Sequence, residues 1–529
     1  MACGRHTARV NRRSRIEYRA LNIRAERSVS MWQEPSSDTH RYARKGTPSA
    51  PRRSSTTWLL AVLTVIVSAS AFYVSTGLGS FWPAAWIAPI PVLVLAARTT
   101  TRTATLVAFA AYSLGSLNLF TYLAEVVPVV LVAVLLAVPA LAFAGAVLVS
   151  RFAARRLAPW SAVFAFPTVW VSCEFLLSMI SPHGTAMSLA YSQADVLPLV
   201  QIVSVSGIWG VSFVLALIPA ALAVAWTRRT HRALVPAVAI LLVVFLYGVS
   251  RLHDRPRQSE VRVGLAATDR GIGTAFDTED EQRALTVAHA YGDRIASLVH
   301  EGAQVVVLPE KLVGVTPADQ AEVLKAFSDA ARASRVTLVA GLTFIAIPAP
   351  RNVAVIFGPD GEVLAEYEKH HLLPGPETGY KAGTEAIVFA APGGHWGVTI
   401  CMDMFFPSWS RKYGQRKVTL LAVPAWDFVR DARLRSRMAV VRGVENGFAV
   451  ARTAQQGLLT VSDAYGRVLA EEASSTTPEA VLVRGISPGP GATLYTRHGD
   501  WFGWVNLLML AALLARAATS TSLAKSEPN

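Results

Sequence analysis

The sequence predicts a polytopic α-helical membrane domain of about eight spans joined to an extracytoplasmic α-β-β-α sandwich. Three observations predict it. Of the 529 residues, 52% are hydrophobic and only 16% charged, with a mean hydropathy of +0.37, whereas soluble chains carry about a quarter charged residues. Uncharged stretches long enough to cross a bilayer, at roughly 20 residues each, fill residues 56–252 and recur within 499–517. Between them, over 253–498, short apolar β-type runs alternate with helical stretches, as in a layered α/β domain.

The N-terminal segment, 1–55, holds 13 Lys and Arg against four Asp and Glu, so it carries +9 of the net +14. It is rich in Ser, Thr, Pro and Arg and cannot bury enough surface to fold alone. No aromatic interleaving or nucleic-acid motif accompanies the charge, so no nucleic-acid partner is expected. A cytoplasmic tail attracted to anionic headgroups is the better reading. Met31 offers a second possible start.

Spans are expected near 57–76, 81–97, 104–124, 127–150, 159–180, 197–226 and 233–250, with an eighth near 500–515 and a tail over 518–529. The sixth is overlong and has a break point around Gly207 and Gly210. Ala69-Ser70-Ala71 has the look of a signal-peptidase site, but the first span is read as retained. Arg98 and Arg102, then Arg151, Arg155 and Arg156, then Arg228, Arg229 and Arg232 occupy every second loop, and the alternate loops carry no Lys or Arg. By the positive-inside rule the N-terminus is cytoplasmic and residues 253–498 lie outside. Cys3, Cys173 and Cys401 fall in a tail, a span and a strand, so no disulfide framework is implied. No Cys/His metal spacing occurs, and no cofactor is expected.

In the outer block the runs 261–267, 304–310, 336–344, 352–368, 386–391, 396–403 and 418–425 read as strands. Pro359-Asp360-Gly361 closes a hairpin in the fourth, and 447–453 with 457–472 form a further pair.

Three of these runs end in chemically useful residues. GVTICMDMFFPSW, 397–409, brings an apolar run to Cys401, followed by Asp403 and a Pro-bounded turn. A lone cysteine is usually a small buried hydrophobe. Here, however, VVVLPEKLVGV ends a strand at Glu310, and EYEKHHLLPGPE follows a hairpin with Lys369. A carboxylate can take the thiol proton during attack on an acyl carbon, and a fixed cation can stabilise the oxyanion that forms. The alternative is a solvated Glu and Lys pair at a sheet edge. His370 and His371 are read as structural, since neighbours on extended backbone point opposite ways. Glu174, inside a span, is either functional or a helix-end acid reaching the interface.

Glu, Lys and Cys in this order resemble the triad of the nitrilase (carbon–nitrogen hydrolase) superfamily. With spans on both sides, the chain resembles the apolipoprotein N-acyltransferase family over most of its length. The motifs are WVSCEFL with LAYSQADVLPLVQIVSVSGIWGVSFV, RGVENGFAVARTAQQGLLTVSDAYGRV with its Arg-x-x-Glu helix, and ATLYTRHGDW. The resemblance implies a nitrilase-like sandwich with Cys401 as nucleophile, Glu310 as base, Lys369 as oxyanion partner, and Glu377 and Asp403 as supporting carboxylates. It implies a phospholipid acyl donor, a diacylglyceryl-modified lipoprotein acceptor and a lipid bilayer as partners. Trp426 and Phe428 are candidate substrate-binding aromatics, or membrane-surface anchors. The chain departs from the family at Met402-Asp403, where Tyr-Glu is usual. Its Pro-Phe-Gly-Glu loop reads Pro374-Gly375-Pro376-Glu377, its Asn-Asp-x-Trp-Phe segment reads 424–428, and Leu177 stands where an Arg follows Glu-Trp-Leu. A membrane-tethered amidase and an inactive binding paralogue are the alternatives.

Overall fold

The computed structural model describes residues 55–79, 81–254, 259–268, 281–475 and 479–523. Of the tail expected over 1–55 only Ser55 falls among them, and Cys3 and Met31 lie outside the described residues.

The chain opens with α1 (Ser55–Ser75), then the short pair α2 (Trp82–Ile87) and α3 (Pro89–Arg98). α4 (Thr101–Gly115) runs through a 3-10 turn into α5 (Phe120–Val126), followed by α6 (Val129–Arg156). α7 (Pro159–Ala162) leads into α8 (Ala165–Ile180), and α9 (Leu197–Val200) and α10 (Val203–Ser206) precede α11 (Ile208–Arg228) and α12 (Leu234–Leu252). Among the described residues six stretches are long and apolar enough to cross a membrane: Thr57–Ser75, Thr101–Val126, Val129–Arg156, Pro159–Ile180, Ile208–Arg228 and His231–Leu252. The remaining apolar helices, Trp82–Arg98, Leu197–Ser206 and Trp501–Arg516, are shorter.

Two expected spans therefore differ in form. The second is interrupted at Ala88, ahead of two prolines, Pro89 and Pro91, and proline starts a helix more readily than it continues one. The sixth is divided at Gly207, whose φ of +64° suits glycine. α11 is buried along most of its length. Outward apolar side chains on α1, α6 and α12, such as Leu59, Val130 and Val243, present the surface of a lipid-facing bundle.

The α/β block has strands β1 (Val261–Ala267), β2 (Val305–Val307), β3 (Gly314–Val315), β4 (Thr337–Phe344), β5 (Arg351–Phe357) and β6 (Val363–Glu368). Next come β7 (Ile387–Ala391), β8 (Gly394–Val398), β9 (Leu420–Trp426), β10 (Ala449–Gln455), β11 (Leu458–Ser462), β12 (Val468–Ala473) and β13 (Ala480–Ile486). One sheet has the order β13-β1-β2-β4-β5-β6 with β3 beside β4; the other runs β12-β11-β10-β9-β8-β7. Their facing sides, with Val263, Leu265 and Val307 on one and Leu420, Ala422 and Val450 on the other, share one apolar core. α13 (Glu281–His300) and α14 (Gln320–Ser334) cover the first sheet through Ile295, Leu298 and Phe327. α15 (Pro407–Gln415) and α16 (Ala432–Asn446) belong to the second. β13, absent from the expected strands, pairs antiparallel with β1 over its full length.

α16 is the hinge piece of the architecture, because its second face packs on the membrane domain. Met438, Val441 and Val444 share a core with Val200, Ile208 and Trp209. Glu445 accepts the Ile208 N–H at 2.8 Å, so a carboxylate caps the helix that Gly207 starts. Arg442 pairs with Glu445 and donates to Tyr191 and Thr185 of the loop after α8. α17 (Leu494–His498) and α18 (Trp501–Leu523) follow, the latter running past the expected end at 517. The described residues form one compact unit.

Candidate active site

Each of the three expected reactive residues leaves the end of a strand, and backbone bonds bring those ends together. Glu310 lies three residues beyond β2; Gly341 donates its N–H to Pro309, and Glu310 donates its own to Ala425 in the other sheet. Lys369 directly follows β6, its N–H donating to Asn352 O at 2.8 Å. Cys401 opens a 3-10 turn, Cys401–Phe405, three residues past the end of β8. Its φ is +43°, a left-handed conformation that a non-glycine residue adopts only when its surroundings hold it there.

The side chains form a buried row of alternating charge. Lys369 Nζ lies 2.8 Å from Glu310 Oε1 and 2.9 Å from Glu377 Oε2, and Glu377 Oε1 is 2.7 Å from Lys311 Nζ. Asn352 Nδ2 donates to both acids, at 2.6 Å to Glu310 and 2.7 Å to Glu377. The Leu373 N–H adds a bond of 2.6 Å to Glu377. Oε2 of Glu310 has no hydrogen-bond partner among the described residues. All these groups except Asn352 line a cavity of about 190 Å³ that also holds Cys401, Trp426 and Phe428.

Electrostatics follow from that burial. Burial, then the charge of Glu310, push the Cys401 thiol up to about 12, against the pull of Lys369 and Arg435. The sulfur is therefore a thiol at neutral pH, and any nucleophilic attack by it would need a base to take its proton. Burial opposes the charge on Lys369, but Glu310 and Glu377 outweigh it and hold the ammonium above its ordinary value. Burial likewise opposes ionisation of Glu377, but Lys369 and Lys311 hold it down to about 2.

The structure thus brings Glu310, Lys369, Glu377 and Cys401 into one cavity, with Trp426 and Phe428 on its wall. The Cys401 thiol also donates to the Trp426 carbonyl at 3.3 Å. Asp403 has a different position. Its carboxylate is fully buried and accepts from Tyr367 Oη (2.6 Å), His371 N (2.7 Å) and Ile400 N (3.2 Å), which fixes the turn beneath the cysteine. Both histidines are built into the structure by stacking and a polar contact each: His370 stacks on Trp409 at 3.7 Å with Nδ1 2.6 Å from the Gly383 carbonyl, and His371 stacks on Phe406 at 3.6 Å with Nδ1 2.9 Å from Asp403 Oδ1. Glu174 accepts from Ser188, Leu189 N and Ser212, tying α8 to the next loop and to α11.

Four residues at the site were not singled out in the sequence. Lys311 adjoins Glu310, and its neighbour was the available signal. Asn352 is a buried polar residue in the apolar strand RNVAVIF. Arg435 and Tyr122 carry no local signal, because their pairing joins α16 to α5 across 313 positions. A fixed base, a fixed cation and a thiol on one wall can carry out acyl transfer by a covalent intermediate.

Comparisons with known proteins come from both halves of the chain. A model of the apolipoprotein N-acyltransferase N-terminal domain matches residues 68–221, and a carbon-nitrogen hydrolase model matches residues 271–488. The apolipoprotein N-acyltransferase of Geobacter metallireducens is 26% identical over 528 residues, covering 89% of this chain and 97% of that one. The Bradyrhizobium diazoefficiens protein of the same name is 24% identical over 381 residues, 64% of this chain and 70% of its own. Among solved structures, an amidase from Nesterenkonia sp. aligns with a TM-score of 0.38 at 23% identity, over 46% of this chain and 97% of its own.

Proposed function

The chain belongs to the apolipoprotein N-acyltransferase family, and from that premise we infer that Cys401 carries a fatty acyl chain from a membrane phospholipid to the α-amino group of a lipoprotein's diacylglyceryl-cysteine. The observation that carries this reading is the buried row Glu310, Lys369, Glu377 set beside a thiol in a common cavity.

Glu310, with an unbonded carboxylate oxygen, takes the thiol proton as sulfur attacks the donor's ester carbonyl. Lys369 faces the oxyanion that develops. Collapse expels the lysophospholipid, whose alkoxide recovers the proton from Glu310, and leaves a thioester. The acceptor amine then attacks the thioester and gives up a proton to Glu310; the C–S bond breaks as Glu310 returns that proton to the departing sulfur, which restores the thiol and the carboxylate. Trp426 and Phe428 line the acyl path, and Asp403 holds the turn rather than touching the reacting atoms.

Orientation follows from the arginines. Arg151 and Arg228 bond to carbonyls at their own end of the bundle, Ala96, Ala154 and Leu157. The α/β block instead meets the opposite, Lys- and Arg-free loops, as where Thr185 bonds to Phe405. By the positive-inside rule that block is extracytoplasmic in a bacterial plasma membrane.

Intact-mass analysis of the protein in phospholipid micelles, beside Cys401→Ser, tests the reading. A hydroxylamine-labile fatty-acyl adduct on the wild type alone, discharged onto a diacylated lipopeptide amine, is the expected result. Hydrolysis of small amides with no adduct would replace it with an amidase.

A further inference from the structure

Arg435 is the cation in the cavity that the triad leaves without a task. Its side chain is 4% exposed. Nε pairs with Asp431, Nη2 donates to Tyr122 Oη at 2.9 Å, and the guanidinium lies 4.8 Å and 5.6 Å from the ring centroids of Phe405 and Phe428. These contacts fix a planar, rigid fork. They leave Nη1 with one hydrogen-bond contact among the described residues, Cys401 Sγ at 3.9 Å. Lys369, in contrast, already serves two carboxylates.

We propose that Arg435 is a catalytic residue, the second cation that meets negative charge at Cys401, first on sulfur and then on the tetrahedral oxyanion. The proposal rests on the reading of Cys401 as nucleophile. An oxygen bonded to the carbon that sulfur has attacked comes within reach of a nitrogen 3.9 Å from that sulfur. As the S–C bond forms, the thiol proton passes to Glu310, the carbonyl π pair moves onto oxygen, and Nη1 donates to it. Collapse breaks the ester C–O bond, and the departing alkoxide takes the proton from Glu310. The charges facing the sulfur come from several elements. Glu310 and Lys369 belong to the first sheet, Asp427 and Arg452 to the second, and Asp431 and Arg435 to the segment leading into and through α16; the phenol of Tyr122 comes from α5. Asp427 is matched by Arg452 at 3.0 Å and Asp431 by Arg435, so the uncommitted donors are those of Nη1.

The test uses the full chain in phospholipid micelles and compares wild type, Arg435→Gln, Arg435→Lys and Tyr122→Phe. Single-turnover acylation is followed by intact mass, and alkylation of Cys401 by iodoacetamide at pH 9. Arg435→Gln should acylate about 100-fold more slowly at saturating donor, with donor KM within about threefold. Its alkylation should slow about tenfold, one unit in thiol acidity. Arg435→Lys should restore alkylation and only part of acylation. Should Arg435→Gln not fold, Tyr122→Phe decides: it keeps the charge but frees the fork, and should slow acylation about threefold to tenfold with alkylation unchanged. Acylation by Arg435→Gln within threefold of wild type, or a loss confined to donor KM, overturns the proposal; so does undiminished acylation by Tyr122→Phe where the Gln variant does not fold. A wild type that forms no acyl adduct sinks the nucleophile reading instead, and the alkylation rates then judge Arg435 alone.

Discussion

Glu377 lies between two lysines, and its charge matters to the fold as well as to the site. Replacing it with Gln leaves Lys311 buried without its carboxylate, a kind of loss that costs about 3–5 kcal/mol. Because its pKa is depressed to about 2, the ionised acid contributes stability that is complete above the ordinary carboxylate value and is lost as pH falls through about 2. Melting curves of wild type and Glu377→Gln should therefore converge between about pH 4.5 and pH 2; an equal gap at pH 7 and pH 2.5 would contradict this assignment. The thiol gives a second expectation. With a pKa of about 12, alkylation of Cys401 should climb about tenfold per pH unit from pH 7 to 11. A plateau near pH 8 would mean a preformed thiolate. Glu310 and Cys401 were legible because each follows an apolar strand-like run, and Lys369 because it comes just after a hairpin in the order Glu, Lys, Cys. Lys311, Asn352 and Arg435 were not, since what selects them is a partner far along the chain.

Among elements, β4 holds Glu310, the proposed base, in place through a residue without a side chain. A Cβ on Gly341 would come within 2.3 Å of the Pro309 carbonyl and 2.7 Å of Glu310 Cα, both backbone atoms. Gly341→Ala should displace Glu310 and slow acylation at least tenfold, given that about 1 Å of misplacement costs about 100-fold. An Ala variant acylating at the wild-type rate would show that the proposed role of Glu310 tolerates that shift. Strand positions were read well where apolar runs are long, as in β1, β4 and β9. β13 escaped because AVLVRGI is only partly buried and carries an arginine, and β3 because two residues make no pattern. The divided sixth span was signalled by Gly207, but the acid that caps its second half, Glu445, comes from 237 positions away.

At the scale of the whole molecule, Arg442 and Glu445 clasp the catalytic block to the membrane bundle. Arg442→Met strands Glu445 without its cation at the start of α11 and releases Tyr191, so it should destabilise the protein by about 3–5 kcal/mol. Tryptophan fluorescence and proteolysis of the loop at 181–196 should report one shared transition, because α16 belongs to both cores. Two separate transitions would show independent domains. The same loop has a further consequence. The Phe405 carbonyl, at the end of the cysteine's turn, takes both the N–H (3.0 Å) and the hydroxyl (2.7 Å) of Thr185, which follows a helical stretch of 22 residues, Pro159–Ile180. That stretch is about 33 Å long, close to the ~30 Å of a hydrocarbon core, so a thinner host film tilts it and a thicker one draws it upright. Acylation rates should accordingly differ several-fold between bilayers of short-chain and long-chain lipid at equal donor content, and Thr185→Ala should flatten the difference: the thickness of the film becomes a setting of the catalyst that works at its surface.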